Sequence, residues 1–201
     1  MILENPAENS HFANFLQDLT PCFGEIAPFE QKIRQIADVA GIDLGQFEID
    51  HLAVRMNDWQ TAEQWEALLL KQGKLLKESE VNGRPIGIFQ LNQPIHFCGQ
   101  SVSIIELPFP KDKTYPEEGW EHIEIVVPFL PNESVEQWVE RLCKGGSWQE
   151  NVQIKLKVSQ PKAAGEQLPN PSIAISLNNV SLCNPCCIKL HPYAITTIIY
   201  A

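Results

Sequence analysis

His51, Glu106 and His122 are the residues of this chain whose types and settings allow shared chemistry. Each lies in a short segment that alternates apolar with polar residues: DHLAVR (Asp50 to Arg55), SIIELPFP (Ser103 to Pro110) and GWEHIEIVVP (Gly119 to Pro128). Two imidazole nitrogens and a carboxylate oxygen suit a first-row divalent cation, and three protein ligands leave positions open for water or substrate. A histidine taken alone is more often a hydrogen-bonded imidazole in the core or at the surface. These two stand apart because they occupy equivalent positions in an internal repeat.

The segments that must position them read as strands. Leu52 and Val54 share one face of the first, while His51, Ala53 and Arg55 share the other. In the later segment Ile123, Ile125 and Val127 oppose His122, Glu124 and Val126, and Glu106 is opposed by Ile105 and Leu107. If the aliphatic faces pack under helices, the histidine and glutamate faces line the other side of a curled sheet.

A helix capped by Asn57 or Asp58 follows the first strand and runs through Lys71, with Trp59, Ala62, Trp65, Leu68 and Leu69 as its apolar stripe. Strands follow at 74–80, 86–91 and 101–107, with Asn82-Gly83 as a hairpin turn. The order then recurs: a helix opened by Asn132-Glu133-Ser134 and closed by Gly145-Gly146, then strands at 152–158, 172–177 and 186–190. Glu63-Gln64-Trp65 is repeated as Glu136-Gln137-Trp138, and IIELPFP aligns with CIKLHPYA, so His51 falls on His122 and Glu106 on Lys189. Ahead of the repeat, Phe12, Phe15, Leu16 and Leu19 predict a helix broken at Thr20-Pro21. A second helix carries Phe29, Ile33, Ile36, Ala37 and Ala40 up to Gly41. The expected architecture is α+β: a helical extension over 1–45, then a duplicated domain over 46–201. Its two pseudo-twofold βαβββ modules, 46–110 and 119–201, form curled mixed sheets around a cavity.

Arg55 and Glu124 share faces with the two histidines, so both can line the cavity; they can pair with each other, or Arg55 can hold a substrate carboxylate. Arg84, after the hairpin turn, is a weaker candidate. The run Cys183-Asn184-Pro185-Cys186-Cys187 is a poor zinc signal, because no second cysteine pair or nearby histidine pair completes four ligands.

Fifteen basic against 25 acidic residues give a formal charge of -10, which disfavours nucleic acid and anionic membrane surfaces as partners. No leader-like or membrane-spanning run is evident, so a cytoplasmic location with six reduced cysteines is the expectation.

The stretches GRPIGIFQL, SIIELPFP, YPEEGWEHIEIVVP, LPNP and IKLHP resemble the bacterial YecM family from about Asp50 onward. Within the wider vicinal oxygen chelate superfamily of glyoxalases, bleomycin-resistance proteins and extradiol dioxygenases, IELPFP and GWEHIEIVV are similar to glyoxalase I strands. The resemblance implies paired βαβββ modules with metal ligands on the first and last strands of each. His51, Glu106 and His122 match three of four such positions, and Lys189 stands at the fourth, where a carboxylate is expected. A protonated lysine cannot ligate a metal, but Lys189 can bind an anionic substrate group or, if desolvated, act as a base. His191 shares its face and can replace the missing ligand or serve as general base. The implied activity is that of a lyase, isomerase or dioxygenase using iron, manganese, zinc or nickel on a small oxygenated substrate. The alternative is a module that sequesters a small molecule without turnover. Homodimers are common in the superfamily.

Overall fold

A computed structural model of the chain describes residues 6–161, 166–178 and 186–201. Two helices lead, α1 (Pro6–Phe23) and α2 (Ile26–Ala40), followed by a short 3-10 turn (Leu44–Gln46). The first module is β1 (Glu48–Arg55), α3 (Trp59–Gln72), β2 (Gly73–Val81), β3 (Arg84–Phe97) and β4 (Gln100–Pro108). The second is β5 (Gly119–Val126), α4 (Val135–Gly145), β6 (Ile154–Ser159), β7 (Ser172–Leu177) and β8 (Cys187–His191), and α5 (Ile195–Tyr200) closes the chain.

The eight strands form one curled, unclosed sheet in the order β2-β3-β4-β1-β5-β8-β7-β6. Read outward from the centre, each half runs first, fourth, third, second strand of its module, which is the expected pseudo-twofold. β1 and β5 meet antiparallel at the centre, and each runs parallel to the last strand of its own module. Pairing Ala53 with Glu106 and Glu124 with Lys189 gives the alignment structural form: Ala53 answers to Glu124, and Glu106 to Lys189.

Period-two alternation produces the two faces. Leu52, Val54, Ile105, Leu107, Ile123, Ile125, Ile173, Ile175, Ile188 and Leu190 are all buried beneath the helices. α3 packs on β2, β3 and β4, and α2 packs on β5, β7 and β8, so the leading helices share the main core. Phe29 of α2 stacks on Trp120 at 5.8 Å and lies 5.2 Å from Phe97. The repeated tryptophans Trp65 and Trp138 are both buried, and Trp138 Nε1 donates to the Val127 carbonyl at 2.7 Å.

Three details differ from the sequence pattern. α1 passes through Pro21 and ends two residues later at Phe23, because a proline in the last turn forfeits only one helical hydrogen bond. The turn then closes with Gly24 N donating to the Thr20 carbonyl, at a positive φ of 81° that glycine tolerates. Trp59 is largely exposed, since it opens α3 beyond the sheet and rests on Phe109. β3 runs six residues past Leu91, paired again with β4 beyond an irregularity between Gln90 and Ile95. Among the described residues, no helix is long and apolar enough to cross a membrane.

Candidate metal centre

The face away from the helices carries the polar residues the core would otherwise reject. His51, Arg55, His122, Glu124, Ser172 and His191 are the buried polar residues among those described. Strand register sets His51, His122 and Glu124 in two adjacent rows. One row runs Glu106, Ala53, His122, Cys187 across β4, β1, β5 and β8; the other runs His51, Glu124, Lys189, Ala174 across β1, β5, β8 and β7. Ala53 sits between Glu106 and His122 and presents only a methyl group at the centre of the first row.

Four side chains converge beside it. His51 Nε2 lies 3.8 Å from Glu106 Oε2 and 3.4 Å from Glu124 Oε2. His122 Nε2 lies 3.7 Å from Glu106 Oε1 and 3.6 Å from Glu124 Oε1. The four donors all fall within 4.8 Å of one another. Neither Nε2 has a hydrogen-bond partner among the described residues, although both rings are buried. The four separations exceed a normal N–H···O bond. The shortest equals, and the others exceed by 0.2 to 0.4 Å, the spacing of about 3.4 Å between ligands that each lie about 2.1 Å from one tetrahedrally coordinated ion. The residues therefore fit a divalent cation in donor type and approach it in spacing.

Charge points the same way. Asp50, Glu106, Glu121 and Glu124 stand against Lys189 and Arg55, leaving two negative charges when the histidines are neutral. Burial of that imbalance is costly unless a cation or protons neutralise it. Burial works against a charged His51, yet the Glu124 charge and the Asp50 hydrogen bond hold its pKa well above the usual imidazole value. Burial also opposes charge on Glu124, but His191, His51 and Lys189 keep it well below the usual carboxylate range. The Lys189 pKa is raised despite burial, by Glu124 and Glu106, so it stays an ammonium.

Of the residues singled out from sequence, His51, Glu106 and His122 converge, and Glu124 joins them. Lys189 does not point a lone pair at the cluster; its Nζ donates to Glu124 Oε1 at 3.2 Å. His191 stands behind Glu124, with Nε2 3.2 Å from Oε2, and is outside the four-residue cluster. Its Nδ1 meets Asn170 Oδ1 at 2.8 Å, which joins the LPNP and IKLHP stretches. Arg55 turns to Glu121, 3.6 Å away, and covers the Tyr115 ring at 4.6 Å. Arg84 donates to the Phe109 carbonyl at 3.1 Å. Cys183, Asn184 and Pro185 lie outside the described residues; burial pushes the Cys187 thiol up to about 12, so it remains protonated.

Sequence reasoning missed Glu124 as a fourth donor, together with Asp50 and Glu121. A signal was present, since an acidic residue immediately precedes each histidine in both repeats.

A family model described as "YecM protein" matches residues 18–201. An uncharacterized protein of Haemophilus influenzae is 50% identical over 182 residues, covering 90% of this chain and 94% of that protein. "Protein YecM" of Escherichia coli K12 is 34% identical over 184 residues, covering 92% of each chain. A solved structure titled "Structural Genomics, Protein EC4020" aligns with a TM-score of 0.73 and 32% identity over 100% of this chain and 97% of that one.

Proposed function

The chain belongs to the YecM family, and on that premise we propose that its sheet cavity is a divalent metal site serving proton-transfer chemistry on a small oxygenated molecule. His51, Glu106, His122 and Glu124 would hold the ion. The observation that carries this reading is the ring of four contacts from 3.4 to 3.8 Å around two buried, unpartnered Nε2 atoms. The mixed nitrogen and oxygen set suits iron, manganese, zinc or nickel.

A bound divalent ion would act as a Lewis acid, polarising an oxygen of the substrate. Four protein donors leave fewer open positions than a two-histidine, one-carboxylate site, which favours an isomerase or lyase over an oxygenase. Lys189 holds Glu124 in place and supplies a fixed positive charge rather than a base. His191 is the remaining base candidate, its ring held by Asn170 and its Nε2 3.2 Å from Glu124 Oε2. Arg55, paired with Glu121 beside His122, could still meet an anionic substrate group.

The commitment of Lys189 to Glu124 leaves one base candidate, and this favours a second reading in which the cavity sequesters a ligand without turnover. Metal analysis of protein purified without added metal, for the wild type and for H51A, E106Q, H122A and E124Q, tests the site. The wild type takes up about one ion and each variant less; no uptake at micromolar metal defeats the metal reading. Tight small-molecule binding to the loaded protein without product favours sequestration.

A further inference from the structure

On a regular strand, neighbouring side chains point to opposite faces, so a carboxylate directly before a histidine cannot reach its ring. Two residue pairs here break that rule. Asp50 Oδ2 lies 2.7 Å from His51 Nδ1, and Glu121 Oε2 lies 3.2 Å from His122 Nδ1.

The ladder between β1 and β5 supplies the cause. Ile49 pairs with Ile125 and His51 with Glu124, so Asp50 has no opposite number. Ala53 pairs with His122 and Val54 with Trp120, so Glu121 has none either. Each strand thus carries a one-residue bulge immediately before its histidine. A bulge sets two residues against one and turns the extra side chain toward its neighbour's side. The rungs between the bulges are His51 with Glu124, Leu52 with Ile123, and Ala53 with His122, and the second insertion restores the register that the first displaced. The arrangement is duplicated with the modules.

We infer that Asp50 and Glu121 are paired positioning residues, each seated in a β-bulge to fix the neighbouring histidine by its Nδ1–H and aim its Nε2 at the shared cavity. Each carboxylate is tied independently. Asp50 Oδ2 also accepts from Ile195 N at 3.0 Å, which links the start of α5 to the His51 ring. The other Glu121 oxygen, Oε1, lies 3.6 Å from the Arg55 guanidinium, itself held over Tyr115. With Nδ1 occupied by a hydrogen bond, only Nε2 is left to face the cavity, and it is the atom without a partner in both rings. A partner on the remote ring nitrogen fixes orientation and raises ligand basicity. The part of this inference that concerns affinity rests on the proposed metal site; the part that concerns ring protonation does not.

Nitrogen-15 NMR of histidine-labelled, metal-free protein reads the ring directly. Both Nδ1 atoms carry a hydrogen-bonded, slowly exchanging proton in the wild type. D50A removes that signal from His51 alone, and E121A removes it from His122 alone. Zinc affinity, measured by chelator competition, falls about 10- to 100-fold in each alanine variant. E121Q, whose amide oxygen still accepts from Nδ1, keeps affinity near wild type. An unprotonated Nδ1 on either ring of the wild type overturns the inference, as does unchanged zinc affinity in folded E121A. Should D50A fail to fold, the partly exposed Glu121 and its histidine decide. If the wild type takes up no zinc, the metal reading falls alone, and the Nδ1 proton signals still decide whether the two carboxylates fix the rings.

Discussion

Lys189 and Glu124 are direct register partners on β8 and β5, and the lysine Nζ donates to Glu124 Oε1 at 3.2 Å. In the first module the equivalent partners are Glu106 on β4 and Ala53 on β1. The carboxylate of the second module has therefore moved one strand inward, from the last strand to the first, and a lysine fills the place it left. Both modules still present one histidine and one carboxylate to the cavity.

That exchange is testable by reversing it. E124A alone lowers affinity for a divalent ion by about tenfold or more, since it removes one donor and leaves the Lys189 ammonium facing the cavity without its partner. The double variant E124A/K189E returns the carboxylate to the last strand and recovers most of the loss. Calorimetric titration with zinc or manganese measures both. No recovery in a folded double variant means that Glu124 acts from its own strand and not as an interchangeable donor.

A proton and a divalent cation compete for His51 Nε2. His51 has a raised pKa because Glu124 and Asp50 outweigh its burial, so at neutral pH it is charged. Metal binding through Nε2 must displace that proton. Titrations in buffers of different ionisation enthalpy are expected to show release of about one proton at pH 7. The stability that the raised pKa confers is full below the unfolded value of about 6.5 and is lost as pH rises through the folded one. The thermal midpoint of the metal-free wild type therefore falls as pH rises above about 6.5, and H51N flattens the trend.

Glu121 works in the opposite direction. Burial alone would raise its pKa, but the hydrogen bond and charge of His122, with Lys189 and Arg55, lower it to about 2. A depressed carboxylate stabilises the fold above its unfolded pKa and loses that contribution as pH falls toward the folded value. Between pH 4.5 and 2 the loss amounts to about 3 kcal/mol at most. Denaturant titrations over that range are expected to show a shallower acid decline for E121Q than for the wild type; parallel declines would remove Glu121 from the acid response.

Most of the architecture was legible because it rests on periodicity. Alternation in DHLAVR, SIIELPFP and GWEHIEIVVP set which residues face the helices, and the EQW repeat set the pairing of modules. Parity also puts Glu124 on the face of His122, whereas the family resemblance expects the fourth ligand on a last strand, where Lys189 stands. Asp50 and Glu121 were hidden for a different reason. Strict alternation places them opposite the histidines, and only a bulge, a property of the pairing between β1 and β5, brings them round. The leading helices were legible as helices, but their place under β5, β7 and β8 depends on the sheet they cover.

Ala53 gives the sharpest test of the space itself. It is fully buried, lies between Glu106 and His122 in register, and answers to Glu124 in the other module. A leucine there would extend over the point on which the four donors converge. Overpacking at a buried position costs about 1 to 3 kcal/mol, which a protein of this size can absorb. A53L is therefore expected to fold, with a lower thermal midpoint, and to lose metal affinity by about 100-fold or more because the ion and the side chain compete for one volume. Glu106 and His122 remain in place, so loss of binding in a folded A53L separates occlusion of the cavity from loss of a ligand. Wild-type affinity in A53L would place the ion somewhere other than between these strands.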